Sequence, residues 1–408
     1  MTPTAEIAYI DLFDPACRAD SPEVIAAREA CWYAHTPLGL GVLRYAECAL
    51  LLRDRRLRPG SRETLASQDV TEGPLAQWWD EILLNIEGAD HTRLRRLVAG
   101  AFTARQVERL VPAMRRSVHE LLDVLAGARG CEFVTAFADP YPLQVICELL
   151  TIPERDRSAF AGWADDLGLA FSLAVPQFLP QIEAALAGLC ERVDELIARR
   201  RREPGDDLVS ELIAVEEAGE RLSDAELRVL LTGLIFAGTD TTRTQLGRAM
   251  VLFAEHPHEW ALLRQRPELA AGAVEEVLRL VGSTPLTTRV ALEDLEVNGL
   301  SILAGTHLSL MIAAANTDPR AFDPAGLDIT RRRPLQLTFG GGLHHCLGSW
   351  LARIELREAL SILAQRMPGL RLDGEPAWRP AMGIYGPTSL PLRWTAPDGE
   401  ETVRDGVA

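Results

Sequence analysis

Along most of the chain, apolar residues recur at three- and four-residue spacings between charged ones. That period predicts amphipathic helices over 104–126, 179–202, 207–218, 223–255, 257–265, 268–281 and 349–365. Short apolar runs of strand type gather in two places, GLGVLRYAE near residue 39 and the stretch 289–311. In the second, Asn298-Gly299 and Ala304-Gly305 supply turns, as in a meander. The fold class is therefore mainly α with a smaller β region (α+β). No Ser/Gly- or Pro-rich linker, low-complexity tract or repeat interrupts the chain, so one domain over 1–408 is expected.

The longest predicted helix opens with Ser223 and Glu226, spaced as a capping box, and at 1.5 Å per residue spans about 48 Å. Such a rod must cross most of the molecule. Its middle reads LIFAGTDTTRTQL, and Gly238, Thr239, Asp240, Thr241 and Thr242 are all poor helix formers. Threonine hydroxyls can bond the carbonyl four residues back, and a neighbouring glycine lets a helix bend or open. A bent core helix and a functional site both fit this segment.

Composition removes several chemistries. All 42 basic residues are arginine. Without lysine there is no phosphate-binding Walker loop and no Schiff-base amine. The same bias suggests a GC-rich bacterial genome. A net charge of −16 argues against nucleic acid and anionic membrane as partners. Seven scattered cysteines form no CxxC pair, which speaks against a disulfide framework or zinc knuckle and fits a reducing cytoplasm. The N-terminus has no signal-peptide pattern, and no run of 18 apolar residues predicts a membrane helix. GLGVLR at 39–44 lacks the third glycine of a dinucleotide fingerprint.

One stretch concentrates chemistry: FGGGLHHCLG, 339–348, immediately before the helix at 349. A lone cysteine is usually a small buried hydrophobe. Here glycines permit close backbone approach and positive φ, and a following helix N-terminus favours a thiolate. His344, His345 and Cys346 cannot converge on one zinc ion from consecutive positions, and no HExxH completes a site. A single thiolate ligand points to a metal whose other positions are filled by a carrier such as heme.

The stretch resembles the cysteine-ligand loop of the cytochrome P450 family, Phe-Gly-x-Gly-x-His-x-Cys-x-Gly, at Phe339, Gly340, Gly342, His344, Cys346 and Gly348. AGTDTT at 237–242 is similar to the family's oxygen-activation stretch, Glu276-Val277-Leu278-Arg279 to its ExxR helix, and HTRLR at 91–95 to its propionate clamp. The order and spacing match a soluble bacterial member from about residue 35 to the end.

The resemblance implies a helical fold with strands over about 35–60 and 285–335 and a C-terminal hairpin, and heme b between the central helix and the cysteine loop. Cys346 would be the axial iron ligand, shielded by Phe339, with the loop glycines, Gly348 among them, aiming backbone N–H groups at the sulfur. His91, Arg95, Arg289 and His344 would hold the propionates, leaving His345 without a role. Asp240 and Thr241 would be the acid–alcohol pair that handles protons, and Glu276 and Arg279 a structural pair. The family's third network member, an arginine, is replaced by Gly326, with Arg320 and Arg331 as candidates to stand in.

A hydrophobic substrate pocket is implied at Trp78, Trp79, Leu83, Leu84, Gly233, Phe236, Ala237, Pro285, Leu286, Ile384 and Tyr385, although Trp78 and Trp79 fit ordinary core equally well. The implied activity is oxygen insertion from O2 into a hydrophobic small molecule, in bacterial secondary metabolism, by a cytoplasmic monomer. Atypical oxidation (coupling, nitration or peroxide-driven) and a non-catalytic heme-thiolate ligand binder are the alternatives. No reductase segment is present, so electrons would come from a ferredoxin and ferredoxin reductase, an acidic ferredoxin docking on Arg93, Arg96 and Arg353.

Overall fold

The computed structural model describes residues 7–14, 16–125, 127–172, 174–215, 222–324, 326–380 and 383–395. Ser223 starts the element around which the rest is arranged. Its hydroxyl accepts from the Glu226 N–H (3.2 Å), and the Glu226 carboxylate accepts from the Ser223 N–H (2.7 Å), closing the capping box. The helix Asp224–Glu255 then runs 32 residues without a break. It is buried on all sides from Thr242 to Phe253 save at Arg243, and packs on helices Pro140–Leu149, Glu154–Gly168 and Val175–Arg202.

Gly238 does not open this helix. A Cβ there would lie 2.2 Å from Ile146 Cδ1, so the glycine lets helix Pro140–Leu149 press close. The threonines are satisfied by back-bonding: the Thr239 hydroxyl donates to Ile235 O (2.9 Å) and the Thr241 hydroxyl to Ala237 O (2.9 Å).

The other expected helices form as Ala104–Val124, Leu208–Val215, Pro257–Gln265, Ala270–Leu280 and Ser349–Arg366. The expected continuation over 216–218, and residue 126, lie outside the described residues. The helix expected from 179 begins earlier, at Val175, because Pro176 fits a first helical turn where its missing N–H is not needed.

Strands Tyr33–Thr36, Gly39–Val42, His307–Leu310, Thr287–Ala291 and Leu57–Pro59 form one sheet in that spatial order. Gly39–Val42 and His307–Leu310 are parallel and the other pairs antiparallel. The meander turns fall where Asn-Gly and Ala-Gly place them: Asn298 and Gly299 both take positive φ (47° and 81°) between strands Leu295–Val297 and Leu300–Ile302. Near the C-terminus, Ala377–Trp378 pairs with Pro387–Ser389 as the expected hairpin.

A small hydrophobic cluster gathers around Ile10 and Leu12 near the N-terminus. A large core joins the helices, and a second lies under the sheet around Val42, Leu52, Leu308 and Leu310. Arg289 leaves the sheet between them, placing a cation at the seam.

Candidate active site

A cleft of about 840 Å³, a volume that includes the space open to solvent at its mouth, lies between the central helix and the cysteine loop, and both Thr241 and Cys346 line it. Local backbone chemistry builds the loop. Gly340 and Gly342 take φ of 69° and 65°, the left-handed region that disfavours a side chain, and a Cβ on Gly342 would lie 2.7 Å from Leu52 O. Gly341 and Gly348 have ordinary negative φ, so positive φ is confined to two of the loop glycines.

The Cys346 N–H donates to Phe339 O (2.8 Å), folding the loop back on itself. Cys346 keeps accessible surface in the cleft, yet its sulfur is closely surrounded by protein. Burial pushes the thiol pKa up, opposed by the Gly348 N–H and by Arg95 and Arg353. The Arg353 guanidinium sits over the Phe339 ring at 4.5 Å.

Beside the loop, His91 and His344 lie ring on ring at 4.3 Å. His344 Nε2 meets Glu87 Oε1 at 2.9 Å, whereas His91 Nε2 is buried with no hydrogen-bond partner among the described residues. Arg95 donates to the His345 carbonyl, so the backbone of that residue has a use even though its ring was assigned none. Arg289 is buried and donates to Thr288 O (2.9 Å). Burial pulls its guanidinium down to about 10, with Glu87 the one charge opposing that shift.

Glu276 and Arg279 form a two-pronged buried pair at 2.8 Å on both prongs. The third member is Arg333, not Arg320 or Arg331. Arg333 Nε lies 2.9 Å from Glu276 Oε1, off line as a hydrogen bond but a close ion pair, and its other nitrogens donate to Pro324 O (2.7 Å) and Gly326 O (2.8 Å). Arg320 instead pairs with Asp318 and Glu29, and Arg331 with Asp328. Where the side chain at 326 is lost, the backbone carbonyl of Gly326 remains and receives both Arg279 and Arg333.

Across the cleft, Gly233, Ala237 and Thr241 form an i, i+4, i+8 stripe on the central helix. A Cβ on Gly233 would meet nothing within 4 Å, Ala237 is exposed and Thr241 lines the cleft. Leu84 also lines it. Trp78 and Trp79 are core: their indole N–H groups donate to the Thr232 hydroxyl (3.0 Å) and Ser61 O (3.3 Å). Phe236 is buried, stacked on Phe171 at 4.5 Å, and Leu83 and Ile384 pack on the helical core. Pro285 is buried, accepting from Ala313 N–H, while Leu286 packs against the N-terminal cluster around Ile10 and Leu12. Tyr385 is buried under Arg248, 4.8 Å from its ring. Of the eleven expected pocket residues, Leu84, Gly233 and Ala237 face open space most directly.

Sequence reading missed the surroundings of Asp240. Its carboxylate is fully buried and held by Arg243 Nε (2.8 Å) and Arg379 Nη1 (2.9 Å). Arg243 also pairs with Asp139 (3.0 Å) and Asp165 (2.8 Å). Burial pushes Asp240 up despite Arg243. Only the adjacency of Arg243 to the AGTDTT stretch was available as a signal. Gln245, also at the cleft, ties the helix to the loop after Leu280 through Val281 O and the Ser283 N–H (both 2.9 Å).

Among known proteins, luteothin monooxygenase from Streptomyces thioluteus is 41% identical over 396 residues, 96% of this chain and 97% of that protein. This chain belongs to the cytochrome P450 family. The family's sequence profile, described as Cytochrome P450, matches residues 259–367. Mycinamicin IV hydroxylase/epoxidase from Micromonospora griseorubida is 39% identical over 319 residues, 76% of this chain and 79% of that protein. Among solved structures, P450BioI in complex with an acyl carrier protein bearing hexadec-9Z-enoic acid superposes with a TM-score of 0.85 at 32% identity, covering 91% of this chain and 97% of that one.

The chain is thus a cytochrome P450 monooxygenase, and the family's cofactor is heme. The residues present fit it. An orphaned buried imidazole nitrogen at His91 and a desolvated Arg289 are what a pair of carboxylate side arms would satisfy, and Cys346 offers one thiolate at the cleft. No cluster of three or more His, Cys, Asp or Glu able to hold a bare metal ion exists among the described residues, and all seven cysteines are free thiols. No described helix is long and apolar enough to cross a membrane.

Proposed function

We propose that this cytochrome P450 inserts one oxygen atom of O2 into a hydrophobic small molecule of bacterial secondary metabolism, as one folded domain working as a cytoplasmic monomer. The observation that carries the reading is that Thr241 and Cys346 line one cleft, with Asp240 beside Thr241 on the same helix. Bound through the Cys346 thiolate, heme supplies O2 binding and activation, the thiolate's electron density favouring O–O cleavage.

The chain's own residues do the rest. Arg95 and Arg289 would neutralise the propionates, His91 and His344 would hydrogen-bond them, and Phe339 would keep water from the sulfur. The Thr241 hydroxyl, turned to Ala237 O in this state, holds a proton-bearing water on the cleft side, and Asp240 passes protons to it from solvent. The Gly233–Ala237 stripe offers an apolar wall with no fixed charge, which favours a hydrophobic substrate. The names of the relatives, a luteothin monooxygenase and a mycinamicin hydroxylase/epoxidase, support a natural-product substrate.

Electrons come from a ferredoxin and its reductase at the cysteine face. Of the three arginines expected there, Arg353 pairs with Glu275 (2.5 Å), Arg93 pairs with Glu226 and Asp90, and Arg96 is exposed to a docking partner. Charge reversal at Arg96 is expected to lower ferredoxin-driven turnover and spare peroxide-driven turnover; equal loss in both would remove it from the docking face. Screening hydrophobic metabolites for a low-spin to high-spin Soret shift tests the reading of the pocket. Shifts confined to strongly charged compounds would overturn it.

A further inference from the structure

The two arginines on Asp240 are not equivalent. Arg243, one turn along the same helix, is shared among three carboxylates: Asp240, Asp139 at the start of helix Pro140–Leu149, and Asp165 on helix Glu154–Gly168. Arg379 comes from the C-terminal hairpin, follows strand Ala377–Trp378 and is anchored by its N–H to Gly386 O (3.0 Å). Among the described residues its guanidinium makes one ion pair, to Asp240. From a third side the last residue of helix Glu154–Gly168 seals the carboxylate, since a Cβ on Gly168 would lie 2.9 Å from Asp240 Oδ2.

We propose that Arg379 is a positioning residue for proton delivery, holding the Asp240 carboxylate in the ionised, correctly turned form from which it relays protons toward Thr241. The proposal rests on the reading of Asp240 as the relay acid. The distribution of charge favours it. Arg243 is shared between the buried Asp240 and the partly exposed Asp139 and Asp165, so Arg379 supplies the buried carboxylate with a second cation that the other two do not draw on. The groups facing Asp240 are Arg243 on its own helix, Arg379 on the hairpin, and Asp139 and Asp165 through Arg243, with Glu132 acting in turn on Asp139. Without Arg379, Asp240 competes with Asp139 and Asp165 for one guanidinium and keeps its proton to higher pH. A carboxyl that holds its proton to higher pH is a weaker acid and gives that proton up less readily. A proton taken from solvent must leave Asp240 for the water at Thr241, and the carboxylate so formed must take another.

The test is a pH titration of the Asp240 carboxyl in the holoenzyme by difference infrared spectroscopy, the band being assigned by its loss in Asp240→Asn. Arg379→Gln is expected to move the midpoint up by about one to two pH units, and Arg379→Lys to return it near the wild-type value. Gly168→Ala, which forces Asp240 Oδ2 aside without touching either arginine, is expected to move it in the same direction and serves if Arg379→Gln does not fold. An unmoved midpoint in Arg379→Gln, or in Gly168→Ala when that variant stands in, overturns the proposal. So does an equal shift in Arg379→Gln and Arg379→Lys, which would make the residue structural only. The relay reading is judged separately: peroxide released per NADPH should rise in Asp240→Asn, and an unchanged yield there would overturn that reading and, with it, the role of Arg379 in proton delivery.

Discussion

The two faces of the cleft are built from different materials. On the sulfur side, positive-φ glycines, the Cys346 N–H bond to Phe339 O and the Glu276–Arg279–Arg333 network fix the loop through backbone atoms and a buried ion set. On the oxygen side, Asp240 is held by ion pairs to Arg243 on its own helix and Arg379 on the hairpin, with Arg243 also paired to Asp139 and Asp165, and Thr241 is held by one hydroxyl bond. The first arrangement is fixed by backbone geometry and suits a permanent ligand. The second is built from ionisable side chains and suits a group that must take and release protons.

The sulfur side should break hardest. Arg333→Ala is expected to destabilise the protein by about 3 kcal/mol in urea unfolding, because it leaves Glu276 partly unpaired in the core. Arg331→Ala, on an exposed pair, should stay below about 1 kcal/mol, and Arg320→Ala, whose exposed guanidinium meets the buried Asp318, should cost less than Arg333→Ala. Equal losses at all three would contradict the substitution of Arg333 for the missing side chain at 326.

The oxygen side should show its effect in products more than in stability. Thr241→Ala is expected to raise the peroxide-to-product ratio roughly tenfold with little change in unfolding. Thr242→Ala, buried one position on, should change stability and leave that ratio nearly as it was. The reverse pattern would exchange the roles of the two threonines.

A smaller effect sharpens the charge contrast. Asp165 forms a short ion pair with Arg243, yet burial, with Asp139 and Asp240 drawing on the same guanidinium, pushes its carboxyl from 3.8 up to about 6. The folded protein therefore holds this proton to higher pH than the unfolded chain does. Its contribution to stability is full below about pH 4 and is lost as pH rises toward 6. Asp165→Asn should flatten that part of the stability–pH curve. Because Asp165 is half exposed, the change is expected to stay under about 1 kcal/mol. A steeper curve in the variant would reverse the sign assigned here.

The same contrast explains what could be read from the residues alone. The cysteine loop was legible because its constraints are local: ten consecutive residues carry the ligand, the turns and the helix start. The capped central helix and the Asn298-Gly299 turn were legible for the same reason. Arg333 was not, since the loss at Gly326 and its replacement seven residues later are linked only in space. Arg379 lies 139 residues from Asp240 and carries no motif. Trp78, Trp79, Leu286 and Tyr385 were assigned to the pocket by resemblance, and packing turns each of them into the interior or toward another cluster. Gly238 was read as a place where the helix could bend or open because propensity marks a weak helix former without showing what presses on it.

The central claim is that Cys346 is the thiolate on which the chemistry rests. It is tested most directly by the absorption spectrum of the reduced, CO-bound protein. The account predicts the band near ~450 nm for which the family is named, and its loss in Cys346→Ser with the fold retained by circular dichroism. A wild-type band at the shorter wavelength of histidine-ligated heme, or an unaltered band in Cys346→Ser, would contradict it.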